Sequence, residues 1–177
     1  MIIKSIKMRI IQYFLVHPTA KLRVREIERL LDLPLPSVIR YCKELESEEI
    51  LSIIRVGNVA FYTANRMSEK YTLEKKFLNI KLMYESGLVE YLRRELSNPV
   101  IILFGSFVKG EDTEESDIDL YIETLSKDKL NLEKFEKILE RNIQIFRHKN
   151  LKDVPNTNLA NNIINGILLN GFVEVFK

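Results

Sequence analysis

The amino-acid sequence predicts an α+β fold with an N-terminal helical module, a helical connector and a C-terminal module built on a small mixed sheet. Residues 1–66 place apolar side chains at helical spacing and end in two strand-like runs. Residues 67–97 are rich in helix formers, and residues 98–177 mix strand-like and helix-like runs. We therefore expect domains at residues 1–66 and 98–177, joined by a connector at residues 67–97.

Three helices and a hairpin are expected in the first domain. A helical apolar stripe ends at His17-Pro18, and Pro36 suits the first turn of a later helix. Gly57-Asn58 is the kind of two-residue turn that joins antiparallel strands. The predicted helices cover residues 1–18, 24–31 and 37–49, and the predicted strands cover residues 51–56 and 59–63.

The third helix has two different faces. Val38, Cys42 and Leu45 share one face, which we expect to be buried. Together with the hairpin, this helix resembles the winged helix-turn-helix of many prokaryotic transcription regulators. The resemblance implies DNA binding, with the third helix in the major groove and the hairpin on phosphate. The candidate DNA-binding residues are Ser37, Arg40, Tyr41, Lys43 and Arg55, and Lys21, Arg23 and Arg25 are further candidates for phosphate contacts.

The charge distribution is compatible with a nucleic-acid partner but does not decide it. Residues 1–66 contain eleven Lys or Arg against seven Asp or Glu, a net charge of +4, while residues 67–177 contain sixteen against eighteen, a net charge of −2. Lys and Arg contacts to phosphate give sequence-independent, salt-sensitive affinity. An excess of four charges is also ordinary, and winged helices often serve in dimerisation or protein docking, so both interpretations stay open.

The second domain opens with the most informative motif of the chain. An apolar run, residues 100–104, predicts a buried strand, and Gly105 lets the backbone and Ser106 approach a phosphate. Asp117 and Asp119 follow; in a strand they would share one face about 6.6 Å apart and could converge on divalent cations. An acidic surface loop is the alternative, although the apolar residues after Asp119 favour a strand.

These motifs, at this spacing, closely resemble the polymerase-β-like nucleotidyltransferases, and among them the minimal nucleotidyltransferases of bacteria and archaea. The resemblance covers about half of the chain. It implies a short helix that holds the β and γ phosphates of a nucleoside triphosphate, most readily ATP, and catalytic carboxylates, Asp117 and Asp119, that bind two Mg²⁺ ions. The implied nucleotide-binding residues are Gly105, Ser106, Lys109 and Ser116, with Gly110 at the glycine position of the motif.

The third carboxylate of that family, a metal ligand and general base, is hard to locate. Its position on a later strand holds Gln144, and an amide cannot act as a base. Glu123 lies four extended residues, about 13 Å, beyond Asp119, which is too far to complete one metal centre. Glu174 is a possible substitute. Loss of a positioned base typically costs about 10²–10⁴-fold in rate, so turnover is more in doubt than nucleotide binding.

The remaining elements of the second domain follow from shorter patterns. A helix at residues 128–141 precedes the strand at residues 142–146 that carries Gln144. A final helix is expected over residues 156–169, ended by Asn170-Gly171, and then a closing strand at residues 172–176.

The connector carries an apolar stripe at steps of four and three residues: Leu73, Phe77, Ile80 and Tyr84. Such a stripe has to be covered. It packs either against one of the two domains or against a second copy of the chain, and the frequent two-fold symmetry of winged-helix regulators favours a homodimer.

Composition narrows the class of protein. A single cysteine, Cys42, excludes a disulfide framework within one chain and fits a reducing cytoplasm. No apolar run approaches the roughly 20 residues that span a bilayer, so we expect a cytoplasmic protein without a membrane partner.

Two functional hypotheses follow. The first is a Mg²⁺-dependent nucleotidyltransferase that moves a nucleoside monophosphate onto an unknown acceptor and is coupled to a DNA-binding winged helix. The second is a catalytically degenerate, DNA-binding regulator, either sensing nucleotide or acting like an antitoxin on a toxin-like protein partner, and Gln144 is its best evidence.

Overall fold

The computed structural model describes residues 5–174, and the chain separates into two compact units that divide between Lys75 and Lys76. This division lies inside one helix, whereas the sequence places the connector at residues 67–97. Each unit is described separately below.

The first unit contains the predicted helices and hairpin. The helices are α1 (Ile6–Val16), α2 (Val24–Leu31) and α3 (Leu35–Ser47). Strands β2 (Leu51–Val56) and β3 (Val59–Ala64) pair antiparallel around Gly57, which adopts a φ of +59°. A further strand, β1 (Lys21–Leu22), pairs with β3. It was not predicted, because two residues show no periodicity. Residues 1–4 of the predicted first helix lie outside the described part of the chain.

The inner face of α3 is buried as its apolar spacing predicts. Val38, Cys42 and Leu45 are fully buried, and α3 packs against α1, whose Ile10 and Phe14 are also fully buried. Burial raises the pKa of the Cys42 thiol to about 12, so the thiol stays protonated near neutral pH.

The connector residues are helical, in two segments. Helix α4 spans Glu69–Glu85, and α5 spans Leu88–Glu95 after Gly87, whose φ of +78° separates the two. In the first unit, Tyr71 donates from its hydroxyl to the Phe14 carbonyl and the buried Lys75 donates from Nζ to the Leu15 carbonyl. Within residues 5–174, no helix has the length and apolar character that a membrane crossing requires.

The second unit is built on a four-stranded mixed sheet in the order β6-β5-β4-β7. Strand β4 is antiparallel to β5 and to β7, while β5 and β6 are parallel. The mixed sheet agrees with the predicted fold class. Its strands are β4 (Val100–Phe104), β5 (Ile118–Glu123), β6 (Ile143–His148) and β7 (Ile167–Asn170), and its helices are α6 (Gly105–Lys109), α7 (Glu133–Leu139) and α8 (Thr157–Ile164).

Both faces of this sheet are covered with apolar side chains. Ile118, Leu120 and Ile122 point from β5 into a cluster that includes residues of α5, α6 and α7. On the other face Tyr121 packs with Ile163 of α8. Alternation along β5 therefore places Asp119 on the second face, together with Tyr121.

The last part of the chain differs from its prediction. The helix expected over residues 156–169 ends at Ile164, and Ile167–Asn170 forms β7 against β4. Gly166 lets the chain between α8 and β7 approach β4 closely, because a Cβ there would lie 2.4 Å from the Leu103 carbonyl oxygen. The helix predicted at residues 128–141 is also shorter and begins only at Glu133.

The predicted closing strand at residues 172–176 is not seen where it can be assessed. Residues 172–174 have no strand structure, and residues 175 and 176 lie outside the described residues. The edge of the sheet beside β4 is occupied by β7, which comes earlier in the chain.

A buried polar network supports the loop between α6 and β5. Asn79 of α4 donates from Nδ2 to the Phe107 carbonyl and to Asp112 Oδ1, both at 2.7 Å. Asp112 is 1% exposed, and its Oδ2 lies 3.9 Å from an Arg141 Nη atom. These contacts fix the path of the chain as it approaches Asp117.

Candidate active site

Strand pairing brings the two predicted motifs of the second unit together. Phe104, the last residue of β4, lies opposite Asp119 in the antiparallel ladder. Gly105 and Ser106 continue directly from Phe104 into the first turn of α6. The glycine-serine turn and Asp119 therefore meet at one end of the two central strands.

Gly105 makes an unusually close approach to Asp119. Its φ is +80°, a conformation that favours glycine, and a Cβ at this position would lie 2.2 Å from Asp119 Oδ2. Any side chain at residue 105 would displace the carboxylate. The position of the Asp119 carboxylate therefore depends on glycine at residue 105.

The two aspartates occupy different environments. Asp119 lies within β5 and is half-buried, whereas Asp117 precedes the strand by one residue and is exposed. Burial, and then the negative charge of Asp117, raise the pKa of Asp119 above its ordinary value. Asp117 Oδ1 accepts a hydrogen bond from Asn142 Nδ2 at 3.2 Å. The two carboxylates therefore do not occupy equivalent positions in one strand, although their i, i+2 spacing suggests that they would.

Gln144 is the residue for which the resemblance implies a third carboxylate. In the parallel ladder of β5 and β6, Gln144 is the register partner of Asp119. Its side chain is exposed and shares the face of the sheet that carries Asp119. Glu123 lies at the opposite end of β5, opposite His148. Glu174 is exposed and follows β7 in a segment without regular secondary structure.

The other predicted nucleotide-binding residues surround this edge. Ser106 is half-buried in the first turn of α6, and Lys109 is exposed in its last turn, before Gly110. Ser116 shapes its own loop, since its Oγ accepts a hydrogen bond from the Thr113 backbone N–H at 2.9 Å. Asp117 follows directly after this turn.

The donor set fits magnesium with help from a substrate. Among residues 5–174 no group of three or more His, Cys, Asp or Glu side chains is arranged to hold a metal ion. The two carboxylates supply only oxygen donors. Mg²⁺ is commonly held by one or two carboxylates together with water and substrate phosphates, which suits this set.

An acidic cleft of about 410 Å³ is lined in part by the loop that precedes Asp117. Five glutamates line it, and they disfavour an anionic ligand there. The triphosphate of a nucleotide would therefore lie toward Gly105 and Ser106 and away from this cleft. The cleft is lined by Glu114, Glu115, Ser116, Glu133, Glu136, Lys137, Glu140, Arg141 and Asn142.

The predicted DNA-binding residues lie at the surface of the first unit. Arg40 and Lys43 are exposed on α3, and the Arg40 guanidinium lies 4.4 Å from the centroid of the half-buried Tyr41 ring. Arg55 is exposed on β2, and Ser37 is half-buried in the first turns of α3. Among the further phosphate candidates, Lys21 and Arg25 are exposed, while Arg23 forms an ion pair of 2.7 Å with Glu26.

Two contributions to the site were missed from the sequence. Asn142 contacts Asp117 only because β6 starts beside β5, and no local pattern identifies such a neighbour. Asp112 belongs to an acidic run that suggested a surface loop, yet it is buried beside Asn79. Neither residue could have been found without the pairing of distant segments.

The raised pKa of Asp119 predicts a pH-dependent cost to stability in the metal-free protein. Because the folded protein holds the Asp119 proton more tightly than the unfolded chain does, the stabilisation from this proton is present below the unfolded pKa. It is lost as pH rises through the raised folded pKa. Asp119→Asn should therefore gain in melting temperature relative to wild type as pH rises from about 4 toward 8 in the presence of a chelator, as scanning calorimetry would measure. An equal difference at all pH values would contradict this.

A family model matches part of the chain. Residues 86–171 match the family model described as polymerase beta, nucleotidyltransferase. No significant match is found among curated proteins, and none among solved structures. The matched segment contains β4 to β7, both aspartates and the Gly105-Ser106 turn. The match covers just under half of the chain and supports the interpretation of residues 86–171 as a nucleotidyltransferase domain.

Proposed function

We propose that the second unit binds Mg²⁺ and a nucleoside triphosphate, most readily ATP, and transfers a nucleoside monophosphate to a hydroxyl acceptor. The observation that supports this most directly is the pairing of Phe104 with Asp119, which sets the Gly105-Ser106 turn beside the Asp119 carboxylate. The family match over residues 86–171 supports the same class of reaction.

Each residue of the site has a role in this proposal. Ser106 and the neighbouring backbone N–H groups bind the phosphates, because Gly105 leaves the backbone accessible there. Asp117 and Asp119 provide the anionic oxygens that hold the cation, and Asn142 orients Asp117. Lys109, exposed in the last turn of α6, completes the nucleotide side of the site, while Ser116 holds the loop before Asp117 through its hydrogen bond from the Thr113 N–H.

The chemistry requires little from the side chains beyond positioning and charge. The acceptor oxygen forms a bond to the α-phosphorus while the bond between this phosphorus and the bridging oxygen breaks, and pyrophosphate leaves. Asp117 and Asp119 would hold Mg²⁺, which when bound would supply charge stabilisation for the phosphates. The acceptor proton has no carboxylate at residue 144 to receive it, so it passes to water or to a base on the acceptor side.

Nucleotide binding can be tested by thermal stability. At a ligand concentration about 100 times the dissociation constant, binding to the folded state adds about 2.7 kcal/mol, which is readily measured as a rise in melting temperature. We expect this rise for wild type with Mg²⁺ and a nucleoside triphosphate, and its loss in Asp117→Ala/Asp119→Ala. A control pair that removes the same charge from the exposed surface of α5, Glu90→Ala/Glu95→Ala, should retain the rise. No rise with any nucleotide would refute the proposal.

A catalytically degenerate regulator is the second candidate, and Gln144 specifically favours it. An amide beside Asp119 is compatible with nucleotide binding but supplies no general base. In this version the second unit senses nucleotide, or acts like an antitoxin on a toxin-like protein partner, while the first unit binds DNA. A cytoplasmic location suits both candidates.

Comparison of wild type with Gln144 variants separates the two candidates. The enzyme transfers label as the wild-type protein, whereas the degenerate regulator transfers it only when residue 144 is a carboxylate. Gln144→Asp or Gln144→Glu places a carboxylate beside Asp119, and we expect transfer of a labelled α-phosphate to increase by about 10²–10⁴-fold. The measurement is incorporation of label into acceptors from a cell extract, with Asp119→Asn as the inactive control. Wild-type transfer that is not increased by either variant would show that another group, such as Glu174, acts as the base.

The DNA-binding proposal concerns the first unit and rests on the exposed basic residues of α3 and β2. Duplex DNA should bind with an affinity that falls steeply with salt. Arg40→Ala/Lys43→Ala should weaken binding and lower the slope of log affinity against log salt by about one for each phosphate that the variant no longer neutralises. Arg93→Ala/Arg94→Ala, exposed in α5, removes the same charge from the second unit and should leave binding unchanged. Equal weakening in both variants would indicate a nonspecific effect of net charge.

A further inference from the structure

Helix α4 carries an apolar face that is largely uncovered in the described structure. Leu73, Phe77 and Tyr84 are 52%, 63% and 51% exposed, and Ile80 is half-buried among them. We call these four residues the α4 stripe. Several large apolar side chains along one exposed helix face are characteristic of an interaction surface.

The spacing of the α4 stripe is that of a two-helix seam. Successive members are four, three and four residues apart, which corresponds to alternating d and a positions of a heptad repeat. The Tyr84 ring is also held in place, since its hydroxyl donates to the Leu169 carbonyl at 3.1 Å. The stripe thus presents at least one fixed side chain to a partner helix.

The charges beside the stripe favour a second copy of the chain in an antiparallel orientation. Glu74 and Lys81 each follow a d residue and therefore occupy e positions, while Lys76 precedes Phe77 and occupies a g position. In an antiparallel pair of identical helices, e positions face e positions, so Glu74 of each copy faces Lys81 of the other. In a parallel pair, g faces e, and Lys76 would face Lys81 with like charge.

We propose that two copies of this chain associate through the α4 stripe, with their α4 helices antiparallel. Four apolar residues from each copy form the seam, and two symmetric Glu74 to Lys81 pairs flank it. Lys81 forms an exposed ion pair with Glu85 of its own helix, at 3.5 Å. Exposed pairs of this kind contribute little free energy, so Lys81 can exchange this partner at little cost in stability. The proposal is independent of the nucleotide site.

The oligomeric state of the full chain tests the seam. We expect sedimentation equilibrium at about 1–100 µM to show a monomer–dimer equilibrium for wild type. Phe77→Glu should abolish the dimer, and the milder Phe77→Ser should weaken it. Leu125→Glu is a matched control because Leu125 is 75% exposed outside α4, and this variant should dimerise like wild type. Unchanged melting curves would show that the variants are folded.

Charge exchange tests the orientation. Lys81→Glu places glutamate opposite Glu74 in the antiparallel pair and should weaken the dimer about tenfold, and Glu74→Lys/Lys81→Glu should restore it. A parallel pair would instead be strengthened by Lys81→Glu, because Lys76 would gain an opposite charge. A monomeric wild-type protein, dimerisation of Phe77→Glu like that of the control, or strengthening by Lys81→Glu would overturn the proposal.

Discussion

The candidate site depends on the register between β4 and β5. Phe104 lies opposite Asp119, and this pairing determines that the chain leaving β4 turns beside the carboxylate. Because side chains alternate along a strand, a shift of one residue would move Asp119 to the face that carries Ile118, Leu120 and Ile122. A half-buried carboxylate would then enter an apolar cluster, which would be costly. The apolar residues of β5 therefore specify the geometry of the polar ones.

The loop before β5 is fixed by buried polar contacts instead of apolar packing. Asn79 satisfies both the Phe107 carbonyl and Asp112, and Arg141 lies on the other side of the same carboxylate. Such groups are expensive to bury, and breaking one of the contacts leaves a desolvated charge behind. The arrangement restricts the loop to one path, which ends at Asp117, where Asn142 donates a hydrogen bond to the carboxylate. Positioning of the exposed aspartate thus begins at a helix more than thirty residues earlier in the chain.

Local sequence patterns predicted many of the helices, turns and strands described above. Proline and glycine marked the starts and turns of the first unit, and the apolar runs on either side of Gly105 and Asp119 identified β4 and β5. The family resemblance predicted Gln144 at the position of the third carboxylate, and in the structure Gln144 is the register partner of Asp119. Residues 167–170 were misassigned because a short apolar run after a helix fits both helix and strand, and the open edge of β4 decides between them. The contacts of Asn142 and Asp112 depend on distant segments and carry no local signature.

The buried thiol of Cys42 has a practical consequence for studies of folding. It is the single cysteine of the chain, it lies in the interior of the first unit, and its raised pKa keeps it in the unreactive thiol form. Modification by an alkylating reagent therefore requires the first unit to open, while opening of the second unit exposes no thiol at all. The rate of alkylation under native conditions reports the opening of one half of the molecule, without any label having been introduced.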